Sequence, residues 1–279
     1  MEDMREKETN KTVEDVILRY SGRGMDLLRP FLRKDYCSAA VKDILELPRG
    51  KVLLVTGFDV GGVCETDGPP GTYALAVALR SKGFEPVIVS DRICEDYFEP
   101  YGFRTVYITK TMEKPDYREL FYAEEPVLLI AIERCGRTKD GDYVNCRGVS
   151  IADRTSPADE LFLIAAENGV YTVGIGDGGN EIGMGVLAPQ IAEKLALEPC
   201  VTTTSSLIIA TTSNWGAYAM AALIGGGPSL KEINEFTAYI VSLGSVDGVT
   251  RKPEPTVDGF EAGINDGIIV ELETFRAAE

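Results

Sequence analysis

Short apolar, β-branched runs recur along the chain at Val52 to Thr56, Pro86 to Ser90, Thr105 to Thr109, Val127 to Ile132 and Tyr171 to Ile175, each followed by an interval long enough for a helix. Continuous apolar runs suit strands buried on both faces, and this spacing suits right-handed βαβ crossovers. The pattern therefore predicts an α/β fold, with a mostly parallel central sheet flanked by helices. A Thr-rich run, Val201 to Thr212, reads as a further strand. Helices are expected over 71–82, 115–124, 156–168, 180–196, 214–224 and 229–243, the third opened by Ser156-Pro157 as N-cap and N1 proline. Val13, Val16, Ile17 and Tyr20 fall at i, i+3, i+4, i+7, and a second helical stretch from Tyr36 to Leu47 stops at Pro48-Arg49-Gly50. These form an N-terminal helical cap over residues 1–50, ahead of a sheet core over 51–200 and a C-terminal strand and helices over 201–279. One domain over 1–279 is the preferred organisation, with a subdivision near residue 200 left open.

Composition limits the chemistry such a fold can carry. The chain has no histidine, which excludes Ser-His-Asp and Cys-His catalysis, His-ligated zinc or haem, and an imidazole base. With 44 acidic against 28 basic residues the formal charge is −16, so nucleic acid and anionic membranes would be repelled. Cys37, Cys64, Cys94, Cys135, Cys146 and Cys200 lie far apart without a CxxC pair, the Met1 to Asn10 segment has no apolar stretch, and no apolar run reaches the length of a membrane span. A cytoplasmic protein with reduced, mostly buried thiols is expected, free or as a homo-oligomer.

Acids follow the strands. Asp59, with Glu65 and Asp67 in the same loop, follows the first; Asp91, Glu133 and Asp177 follow later ones. In an open parallel sheet the carboxyl ends of the strands converge on one edge, where ligands bind. Like charges gathered there raise one another's pKa and destabilise the fold unless a cation neutralises them. An all-oxygen donor set suits Mn²⁺ or Mg²⁺, or Ca²⁺. The plainer alternative is that these acids cap helix N-termini.

Two connections are rich in glycine. The first runs from Gly57 to Gly71, and its glycines, with Thr72 beside a free helix N-terminus, offer a cradle for an anion. It lacks the GK[ST] of a Walker loop. The second, Gly174 to Gly183, contains GxGxxG between a strand and an expected helix, yet Asp177 and Glu181 would repel a bare dinucleotide, which favours a metal site. Arg134, Arg147 and Arg154 are well placed to hold an anion, or else form surface ion pairs. Cys64 and Cys135 border the same edge with no base beside them and read as buried thiols.

At these loops the sequence resembles the D-glutamate cyclase family. The segments that carry the resemblance are Glu65-Thr-Asp-Gly-Pro-Pro-Gly71, Ile132-Glu-Arg134, Asn145-Cys-Arg-Gly148, Gly174 to Gly185 and Ser213-Asn-Trp-Gly216, spread over roughly residues 50 to 220. The resemblance implies conversion of D-glutamate to 5-oxo-D-proline and water, by attack of the α-amine on the γ-carboxylate. A carboxylate is a poor electrophile, so a divalent ion acting as Lewis acid and a proton donor for the departing hydroxide are both expected. Glu65, Asp67, Glu133 and Asp177 are the expected metal ligands, with Glu181 as general acid/base. Arg134 or Arg147 would hold the α-carboxylate, and Thr66, Gly71, Thr72, Asn180 and Asn214 would complete a site for a small anionic metabolite. The same parts also fit a metal-dependent phosphatase using metal-activated water, or a metal-dependent metabolite sensor without turnover.

Overall fold

The computed structural model describes residues 11–276. Six strands form one parallel sheet in the order β3-β2-β1-β4-β5-β6, with β1 at Lys51–Thr56, β2 at Glu85–Ser90, β3 at Arg104–Tyr107, β4 at Leu128–Ile132, β5 at Tyr171–Gly176 and β6 at Ser206–Ile209. The chain winds outward from β1 in both directions, so the sheet has its topological switch between β1 and β4, and a crevice opens at their carboxyl ends. The α/β class with a parallel sheet flanked by helices is thus as expected.

Successive residues of a strand face opposite sides of the sheet. Val52 and Leu54 of β1 and Ile130 of β4 enter one core, while Leu53, Val55, Leu129 and Ala131 enter the other. The first side is covered by α3 (Tyr36–Glu46), α4 (Pro69–Ser81) and α8 (Ser213–Ile224), the second by α5 (Lys114–Glu124) and α6 (Asp159–Glu167). This double coverage explains why the strands read as unbroken apolar runs. A terminal pair, α9 (Leu230–Ser242) and α10 (Ala262–Glu273), packs outside α4 and α8. The sequence pattern did not reveal α10, whose docking rests partly on Trp215 Nε1 donating to Asn265 Oδ1 at 2.7 Å.

Several expected boundaries move for identifiable reasons. The first helix, α1, covers only Val13–Ile17, closed by a Thr12/Asp15 capping box, while Tyr20 adopts a left-handed backbone (φ 64°) and faces solvent. With α2 (Met25–Leu28) and α3, it packs along the flank of β6, α8 and α10. Residues 1–10 of the expected cap, including the Met1 to Asn10 segment, lie outside the described residues. Helix α6 begins at Asp159 because Ser156 Oγ donates to Asp91 and does not cap. The expected helix over 180–196 is reduced to α7 (Ala188–Lys194). Gly183 (φ 105°) packs on Gly174 of β5, and a Cβ on Gly174 would collide with Ile182 O. The GxGxxG glycines thus let a loop cross its own strand; they do not open a phosphate-binding helix. Likewise the expected strand from Val201 to Thr212 narrows to β6, because Thr202 O accepts from Gly183 N at 2.9 Å and the segment before β6 serves that loop.

Candidate active site

The crevice is built by the connections after β1, β4 and β5, joined by two segments from elsewhere. Asp67, after β1, is buried at the start of α8: Ser213 N donates to its Oδ2 at 2.9 Å and Asn214 N to its Oδ1 at 2.7 Å. It is therefore a helix N-terminal acid as well as part of the cluster. Glu133 ends β4 with a left-handed backbone (φ 46°) and accepts from Ser213 Oγ at 2.6 Å. Gly68 (φ 99°) makes that approach feasible, since a Cβ there would lie 2.8 Å from Thr56 Oγ1 and 2.9 Å from Glu133 Cβ. After β5, Glu181 folds back so that Gly178 N and Gly179 N each donate to its carboxylate at 2.8 Å.

Two further residues join them that the sequence reading did not single out. Arg23, between α1 and α2, donates from Nη1 to Asp177 Oδ1 at 2.6 Å and from Nη2 to Asp258 Oδ1 at 2.8 Å. Asp258 lies in the loop between α9 and α10, again with a left-handed backbone (φ 52°). That loop is wound around Asp247, which accepts from Val249 N, Thr250 N, Gly259 N and Thr256 Oγ1. Despite burial, these donors hold the Asp247 carboxyl below its usual range. Left-handed non-glycine residues cost about 1 kcal/mol or more each, and two of them in one acid cluster mark a geometry the surrounding structure enforces. No motif signals Asp258; only its Asp-Gly turn is visible in the sequence.

The carboxylates fall into groups. Oxygens of Asp67, Asp177 and Asp258 lie within 4.8 Å of one another, as do those of Glu133, Asp177 and Glu181, so Asp177 is shared. Burial, reinforced by the Asp258 charge, pushes the Asp67 carboxyl up to about 7, and burial against the pull of Arg23 brings Asp177 to about 8. Burial also raises Glu133, with Asp177 and Glu181 adding to it, and raises Asp258, with Asp177 adding to it. Burial raises Glu181 as well, in spite of its two amide donors. Glu65 stands beside this arrangement, outside both groups, with its carboxylate against Gly248 and facing the crevice; burial, then the charges of Asp258, Asp67 and Asp177, push it well up.

A cavity of about 120 Å³ opens above these acids, with Glu65, Glu133, Asp177 and Glu181 in its floor. Its rim carries Arg147, Arg154 and Arg251, and Asn180 lines its wall while donating from Nδ2 to Val144 O at 2.9 Å. Arg154 pairs with Asp59 at 3.1 Å. Cys146 is the exposed thiol at this rim; the remaining cysteines are buried and free.

Other expected site residues are engaged elsewhere. Arg134 is buried and directed away from the cavity: its guanidinium pairs with Asp91 and donates to Gly57 O and Ser156 O, each at 2.8 Å. It ties the connections after β1, β2 and β4 to the segment before α6, which corrects the expectation that it holds a substrate. Thr66, Gly71, Thr72 and Asn214 likewise form the support under Asp67. Asn214 Oδ1 accepts from Gly68 N at 3.0 Å and Gly71 N at 2.8 Å, and its Nδ2 donates to Thr66 O at 2.9 Å. Thr66 Oγ1 donates to Thr256 O at 2.6 Å and Thr72 Oγ1 to Gly68 O at 2.9 Å. The amides that an anion cradle needs are therefore already taken by a side chain of the same chain.

Fold and site together define a doubly wound α/β protein with a buried acid cluster beneath an arginine-rimmed cavity at the switch point. Residues 13–273 match the model of the family described as D-glutamate cyclase-like, C-terminal, and the chain belongs to that family. The resemblance carried by the glycine-rich segments is thereby borne out. The human protein named D-glutamate cyclase, mitochondrial, is 33% identical over 198 residues, which are 62% of this chain and 32% of the relative. The chain thus spans about a third of that relative's length. Among solved structures, an exopolyphosphatase-related protein from Bacteroides fragilis is similar with a TM-score of 0.43 at 12% identity, over 88% of this chain and 59% of that one. No helix among the described residues is long and apolar enough to cross a membrane.

Proposed function

We propose that the protein is a divalent-metal-dependent enzyme, using Mn²⁺ or Mg²⁺, that cyclises D-glutamate to 5-oxo-D-proline with loss of water. The observation that carries this reading is the shared carboxylate Asp177, at which two groups of three acids meet under a cavity whose rim is cationic. The family and the human relative's name supply the substrate.

The donor set fits such an ion. Asp177 Oδ2 and Asp258 Oδ2 are buried with no hydrogen-bond partner among the described residues, a costly state for a carboxylate oxygen unless a ligand completes it. Asp177 with Glu133 and Glu181, or with Asp67 and Asp258, would hold the ion, and all-oxygen ligation suits Mn²⁺ or Mg²⁺. When bound, it would polarise a γ-carboxylate oxygen of the substrate and so make the γ-carbon, which the amine attacks, more electrophilic.

The chain's own residues divide the remaining work. Arg147 and Arg251 at the rim orient the substrate's carboxylates through charge-assisted hydrogen bonds. Glu65 is the better proton donor for the departing hydroxide: it faces the cavity, lies outside both acid groups, and is raised by burial and by its anionic neighbours. Glu181, fixed as an acceptor by Gly178 N and Gly179 N, suits ligation, so the roles first expected of these two glutamates are exchanged. Incubation of the protein with D-glutamate and Mn²⁺, followed by chromatography, should yield 5-oxoproline; its absence over hours rejects the reading.

A further inference from the structure

Six carboxylates, Glu65, Asp67, Glu133, Asp177, Glu181 and Asp258, crowd the site, and the only ion pairs they make among the described residues are those of Arg23. The guanidinium takes one oxygen from each of two acids, Asp177 Oδ1 and Asp258 Oδ1, and leaves the buried Oδ2 of both without a partner. With Asp67 these acids bring oxygens within 4.8 Å of one another. A guanidinium cannot lose its proton and its planar fork cannot complete such a cage, so it neutralises the acids without filling the space between them.

We propose that Arg23 is the resident counter-cation of a divalent-metal subsite formed by Asp67, Asp177 and Asp258, which the ion occupies by displacing the guanidinium from Asp177. This rests on the metal-dependent reading given above and deepens it, because it makes the N-terminal segment part of metal loading. The side chain has a way out: it is 32% exposed where it lines the cavity, and Gly22 and Gly24 flank it. Gly24 already has a left-handed backbone (φ 82°), and Gly22 stands in open space apart from Tyr20 O at 3.9 Å. Once displaced, Arg23 remains at the cavity wall as a further cation for an anionic substrate.

Calorimetric titration of Mn²⁺ alone into the full chain tests this. Arg23→Gln should bind Mn²⁺ roughly tenfold or more tightly than the wild type, since the ion no longer has to break the charge-assisted pair between Arg23 and Asp177. Arg23→Lys, which keeps a cation too compact to bridge both acids, should show a smaller rise and guards against a Gln variant that fails to fold. The gain should vanish when Arg23→Gln is combined with Asp258→Asn. Unchanged or weaker binding in both Arg23 variants, beside clear binding by the wild type, overturns the displacement and leaves the metal reading standing. A gain that persists with Asp258→Asn overturns it too, because Arg23 would then act only as a distant charge. Absence of Mn²⁺ binding in every form overturns this inference and the metal reading together.

Discussion

Raising the pH of the metal-free protein from about 5.5 to about 8 should weaken its fold by about 5 kcal/mol. In the unfolded chain the carboxyls of Asp67 and Asp177 are ionised throughout that interval, because their ordinary value is 3.8, whereas in the folded chain they titrate at about 7 and about 8. A group raised on folding contributes stability that is fully present below its unfolded value and is lost as pH rises through its folded value. Each proton held by the folded but not the unfolded chain makes stability fall by about 1.4 kcal/mol per pH unit. These acids titrate as a unit, and one proton retained to about pH 7 with a second retained to about pH 8 gives the quoted loss. Glu65, Glu133, Glu181 and Asp258, raised by burial in the same cluster, act in the same direction. The chain has no histidine, Asp247 and Glu271 are held low, and burial keeps the thiols of Cys37, Cys64 and Cys135 high. Urea denaturation in the presence of EDTA at several pH values measures the slope, and Asp177→Asn should flatten it. Saturating Mn²⁺ should reverse its sign, since the ion binds the ionised carboxylates. Stability that is flat or rising with pH in the metal-free wild type, or an Asp177→Asn protein with the wild-type slope, would refute the assignment of a raised, mutually coupled acid cluster.

Four substitutions probe the rest of the arrangement. Glu181→Gln should weaken Mn²⁺ binding at least by the roughly tenfold that loss of an outer-shell partner costs, read by calorimetry; wild-type affinity would remove Glu181 from the ligand set. Arg134→Met leaves half-buried Asp91 unpaired and should cost about 3 kcal/mol in denaturation while leaving KM for the proposed substrate, D-glutamate, near its original value at low temperature. A large rise in KM at unchanged stability would return Arg134 to the substrate site. Gly174→Ala should destabilise by about 1–3 kcal/mol and abolish activity, because the loop carrying Glu181 can no longer cross β5. Gly263→Ala, with nothing near the new methyl on α10, should be neutral or slightly stabilising by comparison, as thermal melts would show.

The sheet was legible in the sequence because its strands are buried on both faces, which forces unbroken β-branched runs whatever the surroundings. The acids after those strands were legible for a related reason: parallel topology delivers the carboxyl ends of β1, β4 and β5 to one edge, so Glu65, Asp67, Glu133, Asp177 and Glu181 had to approach one another. What adjacency in sequence could not give was direction. Arg134 follows Glu133, yet the left-handed backbone at Glu133 breaks the strand there and turns the next side chain away from the acids, so that its guanidinium meets Asp91. The glycines of 174–183 looked like a ligand loop because close approach of a backbone and close approach of a ligand demand the same missing Cβ; only the packing of Gly183 on Gly174 tells them apart. Arg23 and Asp258 lie outside the βαβ units, and nothing local marks them. Their encounter at Asp177 is a long-range contact between segments from the two ends of the chain, which the core beneath α8 and α10 holds in place. Local pattern determined the layers and the charge of the edge, while the countercharge, the grouping of the acids and the support beneath Asp67 were decided by packing, because each depends on residues far apart in sequence meeting at a few ångströms.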